Sequence, residues 1–95
     1  MDLLVTYDIA TPGPSGHKRL AEVAAICERY GQRVQYSVFE CRLDALLLET
    51  FIGEITDTIE GMTDSVNIYR IGTDFETSRL SLGRLGHSWR EPYIF

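Results

Sequence analysis

The nonapeptide RVQYSVFEC, Arg33–Cys41, is the stretch of sequence on which the fold depends. From Val34 to Val38, apolar and polar side chains alternate, a period of two that is typical of a strand with one face on a core. Phe39 then places a large apolar ring on the polar face, so the alternation loses step. The break either divides the stretch into two strands or marks a bulge in one bent strand, and the residues alone leave both open.

Strand-like patterns flank this stretch and alternate with two amphipathic helical patterns. Strands are predicted at Leu3–Ile9, Ser65–Ile71 and, more weakly, Ser78–Gly86. The helices are predicted between Ser15, a possible N-cap, and Gly31, and between Asp44, an N-cap, and Gly61. The closing residues Pro92–Phe95 have the composition of an edge strand.

This order of elements predicts an α/β (α+β) two-layer sandwich, with two helices on one face of a mainly antiparallel sheet. A ferredoxin-like arrangement is the natural candidate, although it needs two strands between the helices. With 95 residues the chain has room for one domain. We predict a single domain over residues 1–95 and interpret residues 73–95 as a C-terminal extension with an additional strand, which lies against its own sheet or that of a partner.

Composition places the chain among ordinary globular proteins, with 44% hydrophobic and 24% charged residues. The N-terminus lacks the basic region and long apolar run of a signal peptide, and no apolar run is long enough to span a membrane, so we expect a cytoplasmic protein.

Cys27 and Cys41 lack the spacing of a zinc site or a disulfide framework. We interpret them as buried thiols.

The net charge of −5 argues against a nucleic-acid partner, because binding to phosphate needs clustered lysine and arginine. The distribution of charge weakens that argument. Basic residues exceed acidic ones in 17–42 and 70–90, whereas Leu43–Tyr69 carries six acids and no base. We therefore expect one surface that repels phosphate and another that attracts it.

Asp8 is the first candidate for chemistry, because it ends a predicted strand beside the glycine-rich loop Thr11–Gly16. A carboxylate in this position is suited to a hard divalent cation, although a turn residue that caps its own loop is the plainer interpretation. One carboxylate makes a poor magnesium site, and a symmetric dimer with two copies of Asp8 would supply the second. Lys18 and Arg19, near the start of the first helix, could attract a backbone phosphate.

The combination of LLVTYDI, a helix carrying HKRL, then YGQRVQYSVFECRL and DSVNIYRI resembles the Cas two family of CRISPR-associated proteins. The resemblance covers roughly residues 1–72, and the tail EPYIF is similar to the closing strand of that family. It implies a ferredoxin-like homodimer whose two sheets face each other, with the C-terminal extension, residues 73–95, docked on the partner subunit. It also implies a Mg²⁺ or Mn²⁺ ion at the subunit boundary, held by Asp8, and endonuclease activity on RNA or double-stranded DNA.

The resemblance also implies roles for further residues. Asp8, Tyr7 and Ser37 are the expected catalytic residues. Arg19 and Arg33 are expected to contact nucleic acid, as is Lys18 from its position near the start of the first helix. The expected dimer contacts are Phe39, Tyr93 and Ile94, and Phe39 would face the partner if the Val34, Tyr36 and Val38 side of the strand covered the helices.

Two functions from different classes remain open at this point. One is a metal-dependent phosphodiesterase that acts through Asp8. The other is an adaptor dimer that bridges copies of the Cas-one integrase and holds the prespacer DNA while the integrase does the chemistry. No second acid accompanies Asp8 at a suitable spacing, so the residues favour neither strongly.

Overall fold

A computed structural model describes residues 1–72 and 79–83 of the chain, which form two helices and five strands. The strands are β1 (Asp2–Asp8), β2 (Gly31–Gln35), β3 (Val38–Arg42), β4 (Ser65–Arg70) and β5 (Arg79–Gly83). The helices are α1 (Gly13–Tyr30) and α2 (Ala45–Thr58).

The five strands form one sheet in the order β2-β3-β1-β4-β5, and every neighbouring pair is antiparallel. β1 lies at the centre, where Leu3 pairs with Cys41 of β3 on one side and with Arg70 of β4 on the other. The first four strands and two helices have the order and strand arrangement of the ferredoxin-like fold. The predicted fold class is therefore confirmed.

The stretch RVQYSVFEC is divided between two strands by a two-residue turn at Tyr36 and Ser37. The β2–β3 register also shifts at Val34, because Arg33 pairs with Phe39 whereas Gln35 pairs with Val38. Both explanations of the lost alternation thus apply, a turn and a bulge. Together they change which face each side chain occupies.

The predicted orientation of Phe39 is wrong. Its ring is 0% exposed and lies in the core between the sheet and the helices, and Cys41 lies on the same side. Val34 and Tyr36, the residues expected to cover the helices, are exposed instead. Because Phe39 is enclosed by its own chain, it does not present a surface to a partner subunit.

One face of the sheet packs against both helices, and this packing forms the core. Along β1, β3 and β4 the buried side chains alternate with side chains on the other face of the sheet, which we call the open face. Buried members of the core are Leu3, Val5, Tyr7, Ile9, Val23, Ile26, Cys27, Phe39, Cys41, Leu43, Phe51, Ile55, Val66 and Ile68. Both cysteines are free and buried, as predicted, and burial raises the pKa of Cys27 to about 12.

The helix ends match the sequence patterns in part. The Asp44 side chain caps α2 by accepting a hydrogen bond from the Leu47 N–H at 2.8 Å, as predicted. Ser15 is not the N-cap of α1, because the helix already begins at Gly13. Proline is favourable in the first helical turn, where its missing N–H costs no hydrogen bond, so Pro14 is accommodated inside the helix.

Gly31 joins α1 to β2 where no side chain fits. A Cβ atom at this position would overlap the carbonyl oxygen of Glu40 and Sγ of Cys41. We expect Gly31→Ala to lower the free energy of unfolding by about 1–3 kcal/mol, measured by urea denaturation. Gly53→Ala is the matched control, because a Cβ added at Gly53 in α2 would have no heavy atom within 4 Å, and alanine should stabilise the helix by about 0.5–1 kcal/mol.

The predicted C-terminal extension contributes one strand to its own sheet. β5 pairs with β4 of the same chain, with Val66 opposite Leu82 and Ile68 opposite Leu80. Leu80 and Leu82 pack against the core. The weak strand pattern at Ser78–Gly86 is therefore a strand over Arg79–Gly83, and the rest of the extension lies outside the described residues.

Candidate metal and nucleic-acid site

Asp8 ends β1 on the open face of the sheet. Along β1, Leu3, Val5 and Tyr7 point into the core, so Asp8 points away from the helices and is exposed. Its register partner in β4 is Ser65. The Asp8 carboxylate therefore lies where two strand ends meet, on a surface that the helices of its own chain leave uncovered.

The described part of the chain contains no group of three or more His, Cys, Asp or Glu side chains that could hold a metal ion. Asp8 is one hard oxygen donor group per chain, which is less than a protein-held magnesium site normally provides. Two copies of Asp8 would supply two carboxylates, and Mg²⁺ and Mn²⁺ accept one or two carboxylates with water in the remaining positions. The donor chemistry fits such an ion only when two chains contribute.

Tyr7, Arg33 and Phe39 lie together on the helix side of the sheet, and Asp8 is on the opposite face. The Tyr7 and Phe39 rings stack with centroids 6.1 Å apart, and the Arg33 guanidinium carbon lies 5.0 Å from the Phe39 centroid. Burial raises the pKa of Tyr7, and a hydrogen bond from Arg33 opposes that shift only in part. The Tyr7 hydroxyl therefore keeps its proton at neutral pH and can donate a hydrogen bond but not act as a base.

Ser37 lies in the turn between β2 and β3. Its carbonyl oxygen accepts a hydrogen bond from the Tyr7 N–H at 3.2 Å. Through this bond Ser37 continues the β1–β3 ladder toward the end of β1 that carries Asp8. The contact that the structure describes between Ser37 and the expected catalytic strand is thus made by its main chain.

Arg19 is held by Asp64, a residue that the sequence marks only as one of the six acids in the segment Leu43–Tyr69. Arg19 Nε donates to Asp64 Oδ2 at 2.8 Å, and Arg19 Nη2 donates to the Ala10 carbonyl oxygen at 3.2 Å. The arginine side chain is 20% exposed and the Asp64 side chain is 0% exposed. The Arg19 guanidinium therefore neutralises a buried carboxylate, and its expected contact with phosphate stays a prediction.

Asp64 joins three parts of the fold. Besides Arg19 of α1, its carboxylate accepts hydrogen bonds from the Ala10 N–H at 2.9 Å and the Glu60 N–H at 2.8 Å. The Thr63 hydroxyl donates to the same carboxylate at 3.2 Å. Asp64 directly precedes β4, and Ala10 is two residues beyond Asp8, so this network fixes the two strand ends at the candidate site.

The ion pair makes stability depend on pH in the acid range. Burial alone would raise the pKa of Asp64, but the hydrogen bonds from Arg19, Glu60 and Ala10 hold it below the usual value of 3.8. The folded state binds a proton at Asp64 less tightly than the unfolded state does. This stabilisation is therefore fully present above pH 3.8, the usual pKa of an aspartate, and is lost as the pH falls through the lower pKa of the folded state. We expect urea midpoints to fall between about pH 5 and pH 2, and to fall less steeply in Asp64→Asn.

Of the other residues predicted to contact nucleic acid or a partner subunit, some lie within the described part of the chain and some lie outside it. Lys18 is exposed on the first turns of α1, one residue before Arg19. Arg33 is partly exposed, and its Nη1 lies 4.0 Å from an oxygen of Glu28. Tyr93 and Ile94, the other expected dimer contacts, lie outside the described residues.

Comparison with known proteins identifies the family to which the chain belongs. Residues 1–77 match the sequence profile of the family described as CRISPR associated protein Cas2. The chain belongs to the Cas2 family. The CRISPR-associated endonuclease Cas2 of Halalkalibacterium halodurans is 45% identical over 96 residues. This alignment includes 100% of both chains. The CRISPR-associated endoribonuclease Cas2 of Chlorobaculum tepidum is 37% identical, with 97% of this chain and 91% of the relative aligned.

Solved structures agree with the family and with the fold. The crystal structure of Streptococcus pyogenes Cas2 at pH 6.5 superposes with a TM-score of 0.71 and 46% identity over 76% of this chain and 87% of that one. The crystal structure of a hypothetical protein of Thermus thermophilus, TT1823, superposes with a TM-score of 0.66 and 34% sequence identity. The match covers 88% of this chain and 94% of that one. Among the described residues, no helix is long and apolar enough to cross a membrane.

Proposed function

We propose that this Cas2 chain is a CRISPR adaptation subunit, a homodimer that hydrolyses phosphodiester bonds in RNA or double-stranded DNA with the help of a divalent ion. The observation that carries the proposal is the position of Asp8, an exposed carboxylate at the end of the central strand on the open face. The names of the relatives, endonuclease and endoribonuclease, support the reaction class.

The open face is the surface that a second subunit would cover. It carries partly buried side chains from three neighbouring strands, among them Leu4 and Thr6 of β1, Val38 of β3 and Asn67 of β4. Two sheets packed face to face bury such side chains between them. A dyad near the end of β1 would bring two Asp8 carboxylates together.

The ion, when bound between the two Asp8 side chains, would activate a water molecule and stabilise negative charge on the phosphodiester. The protein would contribute the fixed separation of the two carboxylates, because the main chain beyond Asp8 is held at Ala10 by Asp64. Lys18 and Arg33 are the exposed cations that we expect to contact phosphate. Tyr7 keeps its proton and lies in the core on the face of the sheet opposite Asp8, so its hydroxyl would not act on a phosphodiester held at Asp8.

The stoichiometry of metal binding tests the shared site. Titration of the purified chain with Mn²⁺ in a calorimeter should give one ion per two chains, and sedimentation should give the mass of a dimer. Val38→Glu places a charge on the open face, and we expect it to produce monomers and to abolish Mn²⁺ binding. One ion per chain, or a wild-type monomer at micromolar concentration, would exclude a site shared across the dyad.

A non-catalytic adaptor is the second candidate function. It is favoured by the absence, within the described residues, of a group of three or more His, Cys, Asp or Glu side chains that could hold a catalytic metal ion. In this case the dimer would bridge copies of the Cas-one integrase and hold prespacer DNA. Wild-type protein that supports spacer acquisition but cleaves neither RNA nor DNA with any divalent ion would select this function.

A further inference from the structure

A groove between α1 and the edge strand β2 lies apart from the candidate metal site, although it includes Arg33, one of the cations expected to contact phosphate. It is lined by Tyr7 from β1, by Ala21 and Ala24 of α1, by Arg33 of β2 and by Tyr36 of the β2–β3 turn, with His17 at one end. Tyr7 precedes Asp8 in β1 and points to the opposite face. The groove and the candidate metal site therefore lie on opposite faces of the sheet at the same end of β1.

The groove differs in charge from two other grooves in the described part of the chain. One of those is lined by Asp2 and Glu40 together with Arg42, and the other by Glu22, Glu54 and Asp57 together with Arg29. The α1–β2 groove has Arg33 and His17 but no acidic lining residue. In a chain with a net charge of −5, this is a place where an anionic group meets the Arg33 cation without facing a lining carboxylate.

The aromatic groups of the groove are arranged around that cation. Tyr36 is 82% exposed, so its ring is available to stack against a ligand. The Arg33 guanidinium rests over the Phe39 ring, which holds the cation at the groove, and Glu28 is its distant ion partner at 4.0 Å. The bulge at Val34 lies between Arg33 and Tyr36, and bulges of this kind redirect side chains at sheet edges.

We propose that the α1–β2 groove binds one unstacked nucleotide of a single-stranded nucleic acid. The base would stack on Tyr36 above the small side chains Ala21 and Ala24, and its phosphate would contact Arg33. The groove has a volume of about 220 Å³, below the roughly 300–1,000 Å³ of pockets for drug-sized ligands, which suits one base and not a longer segment. Aromatic stacking beside a cationic contact is the common mode of single-strand binding.

The proposal deepens the function proposed above and rests on its nucleic-acid partner, although it needs no metal ion. It specifies that part of the bound nucleic acid is unpaired. A paired base cannot enter the α1–β2 groove, because it is stacked between its neighbours in the duplex. A single-stranded tail can enter without that cost.

Fluorescence anisotropy of the full chain at one fixed salt concentration tests the groove. The probes are a blunt DNA duplex and the same duplex with a single-stranded thymidine tail. Tyr36→Ala should weaken binding of the tailed probe by about 5-fold to 150-fold, the range expected for one stacked base, and should leave binding of the blunt duplex within about twofold. A uridine tail on the same duplex shows whether the groove distinguishes RNA from DNA.

Two further variants separate stacking from a general effect on the protein. Tyr36→Phe retains the ring and should bind the tailed probe like wild type. Ala21→Leu fills the groove from α1 and should reproduce the loss caused by Tyr36→Ala. Met62→Ala is the matched control, since Met62 is also 82% exposed but lies in the turn after α2, and it should change neither affinity.

The outcomes distinguish failure of the groove from failure of the proposed function. Equal affinity of wild type and Tyr36→Ala for the tailed probe would overturn the groove and leave the proposed function intact. Equal losses on both probes would also overturn it, because they would indicate general contact with phosphate. If wild type binds neither probe, the nucleic-acid partner itself is wrong, and the groove is rejected with it.

Discussion

Asp64→Ala is expected to lower the free energy of unfolding by about 3–5 kcal/mol, the usual cost of removing one partner from a buried ion pair. The substitution leaves Arg19 without its buried anion and leaves the N–H groups of Ala10 and Glu60 without their acceptor. A domain of this size is stable by about 5–15 kcal/mol, so the variant should be close to unfolding at 37 °C. Urea denaturation and thermal melting measure the change.

Asp57→Ala is the control for this experiment, because Asp57 is an exposed acid on α2 and should change stability by no more than about 0.5 kcal/mol. If Asp64→Ala does not fold, Asp64→Asn provides the measurement, since it retains an acceptor oxygen in the same shape. A double-mutant cycle with Arg19→Met isolates the energy of the pair. Coupling below about 0.5 kcal/mol would show that the two side chains are not an energetic unit.

Asp8→Ala is expected to reduce metal-dependent cleavage of RNA and DNA to background and to abolish binding of Mn²⁺. The reason is that each chain provides only this carboxylate to the proposed site, so the variant removes both protein donors from the dimer at once. Because Asp8 is exposed at the end of β1, the variant should remain folded. Cleavage assays, calorimetry and urea denaturation of the same preparation test the three expectations together.

Glu49→Gln serves as the matched control, as it removes an exposed carboxylate from α2 on the helix side of the sheet. A spacer-acquisition assay with the Cas-one integrase then separates the two candidate functions. Loss of cleavage by Asp8→Ala with acquisition intact would make the nuclease dispensable for adaptation. Unchanged cleavage by Asp8→Ala would refute the assignment of Asp8 as the metal ligand.

The fold is largely predictable because its signals are local. The N-cap at Asp44 and the apolar stripe of α2 depend on neighbours within a few residues, and both are found. The predicted face of Phe39 is wrong because a turn and a bulge within the same nonapeptide change the two-residue period on which the prediction relies. Neither feature carries a glycine or proline that would mark it in the sequence.

The site is harder to predict because its organisation depends on distant pairs. Asp64 and Arg19 are separated by 45 residues, and nothing near either one indicates the other. A single aspartate between a helix and a strand is a weak signal of a buried carboxylate. Resemblance to the family draws attention to Arg19, but only the geometry shows that this side chain meets Asp64.

The central position of β1 also has a kinetic consequence for the whole chain. Both of its neighbours come later in the sequence, with Asp2 opposite Arg42 in β3 and Leu3 opposite Arg70 in β4. Closing the sheet therefore requires loops that span most of the domain, and contacts of this kind slow folding. Until β4 is available, β1 keeps an unpaired apolar edge, so during synthesis the growing chain is exposed to aggregation before its sheet can form.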